Sequence, residues 1–243
     1  MSSTNSNSAE EHPIFSLAFV QAVNDYQCGG NSAKKAERLM AFRESLPAQF
    51  RSCTDICYRQ EAQDQKRVWD LIATTKLPMS YTSWTTDLEV AKAFKGGVTP
   101  NGQGVIIRVN PPPGSVVLNL VELYKDAEFR SAVESYKSRI SRFGDGIGRY
   151  KHTQAEVILD LETGTSASIY CFGGFANALE LARSIYHRVP TSKEIQAIEN
   201  DLIEAGTYTS GWWLSHEGSL AVRRRIQPKL TELKERKKLQ DEG

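Results

Sequence analysis

The stretch YKHTQAEVILDLE, Tyr150 to Glu162, runs from a polar, basic segment straight into an apolar one. From Ala155 to Leu161 it is largely apolar and β-branched, which predicts a strand entering a core. Successive side chains of a strand alternate faces, so residues i and i+2 share a face about 6.5 Å apart. Gln154 and Glu156 are therefore expected to point the same way. A lone Gln-x-Glu also suits the start of a strand at a solvated sheet edge, so the rest of the chain has to decide between the two.

At 243 residues the chain can bury the core of one large domain, or of one domain with an appendage. Its apolar fraction of 40% and charged fraction of 24% belong to the ordinary globular range. A net charge of +1 supplies no global field for nucleic acid and leaves that role to local basic patches. No apolar run approaches the ~18 residues a membrane span needs. The polar opening MSSTNSNSAEEH has no basic and apolar succession of a signal peptide, so residues 1–12 are expected to be disordered and the chain cytoplasmic. In that compartment Cys28, Cys53, Cys57 and Cys171 are expected as reduced thiols. Cys53 and Cys57 have the wrong spacing for a zinc knuckle and no His pair follows at ligand distance, so no metal is expected.

Periodicity divides the remainder, 13–243, into three parts of one α+β domain. Residues 13–51 read as helices, PIFSLAFVQAVNDY and SAKKAERLMAFRESL, broken at Gly29 and Gly30. Residues 53–172 are strand-rich. DICYRQ, PMSYTSWTT, GQGVIIRVNPPPGSVVLNL with its three prolines, AEVILDLE and SASIYCF are predicted strands, and DLEVAKAF and DAEFRSAVESYKSRI predicted helices. Residues 175–243 return to a helical pattern. The glycines of RFGDGIGRY follow a predicted helix and do not match a dinucleotide fingerprint. A phosphate loop, a G-x-S-x-G elbow and a zinc-deaminase signature are all missing from the sequence.

Three features remain: Arg59 at a strand end, the hydroxyl-rich SYTSWTT ahead of DLEVAKAF, and Gln154 with Glu156. In this order, over roughly Thr54 to Asp160, they resemble the ADP-ribosyltransferase superfamily, in the branch with an arginine, a Ser-x-Ser/Thr strand and a final glutamate. CYRQ is similar to the first motif, TSWTTDLEVAKAF to the second with Val90, Ala91 and Phe94 in its helix, and QAEVIL to the third. The resemblance implies a compact core of two packed sheets and NAD+ as co-substrate, with no metal. It implies that Glu156 is the catalytic glutamate, that Ser83 holds it and the nicotinamide ribose in register, and that Arg59 grips the diphosphate, with Tyr58 and Thr85 joining the nucleotide contacts. A guanidinium at a strand end suits bidentate recognition of a pyrophosphate. Two departures stand out: Gln60 follows Arg59 where many members have glycine, and Trp84 stands where threonine is common. Trp84 is expected to point outward and cap the sheet, Val90 and Phe94 to lie in the core.

In this family the residue two before the glutamate varies with the acceptor, and a glutamine there goes with asparagine or with nucleic-acid bases rather than with arginine. A carboxamide donates and accepts hydrogen bonds and so can read another amide or a base edge. The preceding RFGDGIGRYKH carries Arg142, Arg149, Lys151 and His152 around Tyr150, a composition that suits nucleic acid as well as a solvated loop. RNA ranks ahead of DNA, because single strands present bases without unstacking a duplex. A protein asparagine stays open as acceptor. The setting this suggests is a toxin with an antitoxin or other regulatory protein partner, or a phage-defence effector; a catalytically inactive nucleotide- or partner-binding member is the competing class. The cations of the C-terminal stretch, Arg223 to Lys238, are read as a solvated helix, and Trp212 with Trp213 as a docking seam.

Overall fold

The computed structural model describes residues 14–30, 32–63, 81–94, 103–161, 165, 167–173, 178–204 and 213–241. The N-terminal twelve residues and Trp212 lie outside this set. Helix α1, Leu17–Gln27, starts where the Ser16 side chain accepts a hydrogen bond from the Phe19 amide at 3.3 Å, a cap that satisfies one orphan donor. Its residues Phe19, Val20, Val23 and Tyr26 recur at three and four and are buried together. It stops before Gly29 and Gly30, whose φ of +71° and +88° glycine adopts without steric cost. Helix α2, Ser32–Met40, ends sooner than its sequence pattern predicts. The chain tightens to an i to i+3 bond from the Phe42 amide to the Leu39 carbonyl, and the Phe42 ring packs edge-on against Phe19 at 5.5 Å.

There follow β1, Cys57–Gln63; β2, Tyr81–Thr85; α3, Leu88–Ala93; β3, Gln103–Val109; and β4, Val116–Asn119. The chain continues through α4, Leu120–Lys125; α5, Ala127–Tyr136; α6, Ile147–Tyr150; β5, Glu156–Asp160; and β6, Ser168–Gly173. It closes with α7, Ala178–Tyr186; α8, Ser192–Glu204; and α9, His216–Asp241. Hydrogen bonding orders the strands β4-β5-β2-β1-β3-β6 in one sheet. The two packed sheets expected from the sequence are not what the described strands form: all six are used in this single order.

The chain divides into two compact units, 1–57 with 78–86 and 110–163, and 58–77 with 87–109 and 164–243. In the first, β5 lies between antiparallel β4 and β2, and Val157, Ile158 and Leu159 are fully buried, as a strand covered on both faces requires. Phe15, Phe19, Phe50 and Phe129 build the core with edge-to-face rings. Asn119 caps α4 through the Val121 and Glu122 amides and also donates to the Ser52 carbonyl. In the second unit, antiparallel β3 and β6 carry a bulge between Ile106 and Ile107. Trp213 packs on Ala91, Ile106 and Cys171 and donates its indole N–H to the Lys92 carbonyl. Phe94 corrects the expectation of a core residue. It is 43% exposed, because α3 ends at Ala93 and the backbone of Phe94 turns out of the helix, leaving Ala91 as the buried side chain.

The segment 141–152 is tied to α1 through Asn24, which is fully buried. Its amide donates to the Ser141 carbonyl and accepts from the Ile147 amide, both at 2.9 Å. Gly146 fits because a Cβ there would come within 2.5 Å of the Asn24 backbone oxygen. Asn24→Ala leaves the buried Ile147 amide without its partner, while the Ser141 carbonyl keeps Gln21 Nε2, and is expected to cost about 1–3 kcal/mol, read as a lower urea midpoint, with Gly146→Ala shifting it in the same direction. Midpoints equal to that of the exposed Glu128→Ala control refute this account of the tether.

Candidate active site

Ser83 and Thr85 stand two apart on β2 and share a face of the strand. The antiparallel register sets Thr85 directly across from Glu156 and Ser83 across from Ile158. Cross-strand partners bring their Cβ atoms to about 5 Å, with the diagonal pair still in reach. The first unit therefore gathers three of the residues picked out from the sequence, Ser83, Thr85 and Glu156. It buries Glu156, the first residue of β5.

Gln154 is placed differently from the expectation. It lies half-buried in the turn before β5, and Ala155, at φ +43°, stands between it and the strand. The ladder still reaches Ala155, whose carbonyl accepts from the Thr86 amide at 3.0 Å. Gln154 thus lies outside β5, which begins at Glu156, and belongs to no strand face. Trp84 is likewise corrected. Its indole is buried rather than outward, and its N–H donates to the Thr82 hydroxyl at 2.8 Å, pairing the two polar groups that this face of β2 would otherwise bury alone.

Three residues that sequence reasoning missed complete the surroundings of Glu156. The Tyr26 and Ser83 hydroxyls are 2.9 Å apart. Tyr124, on α4, donates its hydroxyl to Gln27 Oε1 at 2.7 Å. Burial raises the pKa of the Glu156 carboxyl above the ordinary range, and hydrogen bonding from Ser83 and then Gln27 pulls it part of the way back. The pull from Gln27 is the weaker, since Gln27 Nε2 and Glu156 Oε2 are both buried without a hydrogen bond of good geometry among the described residues. Burial also pushes the Tyr124 phenol up, and the nearby Glu156 carboxylate adds to that. A carboxylate that burial keeps short of partners is poised to accept a hydrogen bond or to meet a positive charge.

Arg59 and Tyr58 lie on β1 in the second unit. Arg59 Nε donates to Glu61 Oε1 at 2.6 Å, an ion pair between residues two apart on one strand, and both side chains are mostly buried. Glu61 orients the guanidinium through one of its five N–H donors. Tyr58 packs edge-on against Tyr170 at 5.3 Å. Gln60, in the position where the resemblance would favour glycine, is buried with Oε1 unpaired among the described residues. No cluster of three or more metal-ligating side chains occurs among the described residues. No family model matches the chain, and neither a curated protein nor a solved structure is significantly similar to it.

A carboxyl whose folded pKa is raised binds its proton more tightly in the folded state than in the unfolded one. Stability therefore falls as pH rises from the ordinary glutamate value near 4.3 through the raised folded value. Melting temperatures of wild type and Glu156→Gln across pH 4 to 8 are expected to diverge, with the wild type losing ground toward neutral pH. Parallel pH profiles remove the assigned burial effect.

Proposed function

We propose that the chain is a mono-ADP-ribosyltransferase that cleaves NAD+ and transfers ADP-ribose to a nucleic-acid base, with RNA as the favoured acceptor. The observation that carries this reading is Glu156, buried at the head of β5 beside the Ser83 hydroxyl and opposite Thr85. Breaking the bond between nicotinamide and ribose builds positive charge on the sugar. A desolvated carboxylate held in place before the reaction stabilises that charge far better than water does. Glu156 Oε2, buried without a hydrogen-bond partner among the described residues, is the oxygen assigned to a ribose hydroxyl, Ser83 keeps the carboxylate in register, and a cationic nicotinamide favours the ionised form that burial alone disfavours. The resemblance assigns the diphosphate to Arg59, which Glu61 aligns within the second unit, and nucleotide contacts to Tyr58 and Thr85.

The acceptor reading rests on Gln154 and the segment ahead of it. Arg149 lies over the Tyr150 ring at 5.2 Å, and Lys151 and His152 are exposed. These cations and the aromatic ring suit a phosphate backbone and an unpaired base. With no global positive charge behind them, binding through such a local patch falls steeply with salt.

Labelled NAD+ incubated with cell extract and the protein is expected to mark material that nuclease removes and protease leaves. Glu156→Gln should lower transfer at least ~100-fold while the folded protein persists, and Arg59→Ala should weaken nucleotide binding. Gln154→Glu should reduce labelling of bases. Transfer by Glu156→Gln at the wild-type rate rejects the site, and label that survives nuclease but not protease replaces the nucleic acid with a protein side chain.

A further inference from the structure

We propose that Cys53 and Cys57 form a peroxide-sensitive thiol pair, in which Cys53 is the oxidised residue and Cys57 the resolving one, closing an intrachain disulfide. The proposal is independent of the transferase reading. The two sulfurs lie 3.8 Å apart, and each also points at the Asp55 carbonyl, at 3.7 Å from Cys53 and 3.8 Å from Cys57. The chain between them, 54–56, is exposed and belongs to no helix or strand, so closing the sulfurs to the ~2.05 Å of a disulfide breaks no ladder. Its two ends are fixed: Asn119 holds the Ser52 carbonyl at 2.8 Å, and Cys57 is the first residue of β1.

The pair is asymmetric in the way the chemistry needs. Cys53 is half-buried and open to a small oxidant, whereas Cys57 is fully buried. The contact with Cys57 brings the Cys53 pKa down to about 7, with help from the Asp55 backbone and against burial and the Asp55 and Glu122 carboxylates; the same contact and burial push Cys57 well up. The lowered proton affinity makes Cys53 the more readily ionised, and so the attacking, thiol of the pair. In the first step the Cys53 thiolate attacks a hydroperoxide, the S–O bond forms as the O–O bond breaks, and the alkoxide or hydroxide leaving group takes up a proton. In the second step Cys57 sulfur displaces hydroxide from the sulfenic acid, and its proton leaves with that hydroxide as water. Two thiols and one hydroperoxide thus give one disulfide, one alcohol or water, and one water.

The test is hydrogen peroxide added to the full-length protein at neutral pH, followed by intact mass, thiol counting and peptide mapping. The expected result is a loss of about 2 Da and of two of the four alkylatable cysteines, mapped to a Cys53–Cys57 link and reversed by dithiothreitol. Cys57→Ser, which keeps a hydrogen-bonding group beside Cys53, should instead stop at a sulfenic acid on Cys53, about 16 Da heavier and trapped by dimedone, and Cys53→Ser should show neither change. Iodoacetamide labelling of Cys53 should rise with pH through about 7. Four intact thiols after peroxide, a link that uses Cys28 or Cys171, or a link between two chains overturns the proposal. Because the mapping is made on wild-type protein, a substitution that fails to fold does not shield it.

Discussion

The last turn of α1 has to bury polar side chains inside an otherwise apolar core, and much of the first unit follows from how it does so. Asn24, Tyr26 and Gln27 lie within four consecutive residues, and all three are buried. A buried amide or hydroxyl costs free energy unless it finds partners, so each has drawn a different part of the chain to the helix. Asn24 takes the backbone of 141–147, Tyr26 takes Ser83 on β2, and Gln27 takes Tyr124 on α4. One helix end thereby sets the position of the strand, the capped helix and the segment that leads into β5. The apolar face of the same helix supplies the burial that makes this affordable.

Glu156 sits where these constraints meet. Its strand is covered on both faces, so the carboxyl is desolvated whatever its partners, and the nearest groups offer hydroxyl and amide donors rather than a cation. The raised proton affinity follows from that imbalance. The same imbalance favours the proposed chemistry, because a carboxylate held dry and incompletely satisfied gains most when positive charge develops beside it. The Arg59–Glu61 pair on β1 is built on the opposite principle. There the charges are matched within one strand, which fixes the direction of the guanidinium.

Cys53 and Cys57 show a third way in which a backbone constraint creates chemistry. A bend at Asp55 brings residues four apart to sulfur contact without a helix to hold them. The burial of one thiol and the partial exposure of the other separate donor from nucleophile.

The sequence by itself determined the mixed α and β character, the helices within PIFSLAFVQAVNDY, DLEVAKAF and DAEFRSAVESYKSRI, and the strands β1 to β6 to within a few residues, because apolar periodicity acts locally. It also selected Ser83, Thr85 and Glu156, which the register of β2 with β5 then set side by side. What it did not contain was the left-handed Ala155 that turns Gln154 off the strand, since alanine is not a residue that announces that conformation. The inward indole of Trp84 was also hidden, because a strand with polar residues at alternate positions does not declare which face will be covered. Tyr26, Gln27 and Tyr124 carry no spacing signal at all: they meet Ser83, Glu156 and one another only across large sequence separations. Tertiary packing alone decided those contacts, since burying the end of α1 forced its polar side chains to seek partners that no local pattern encodes.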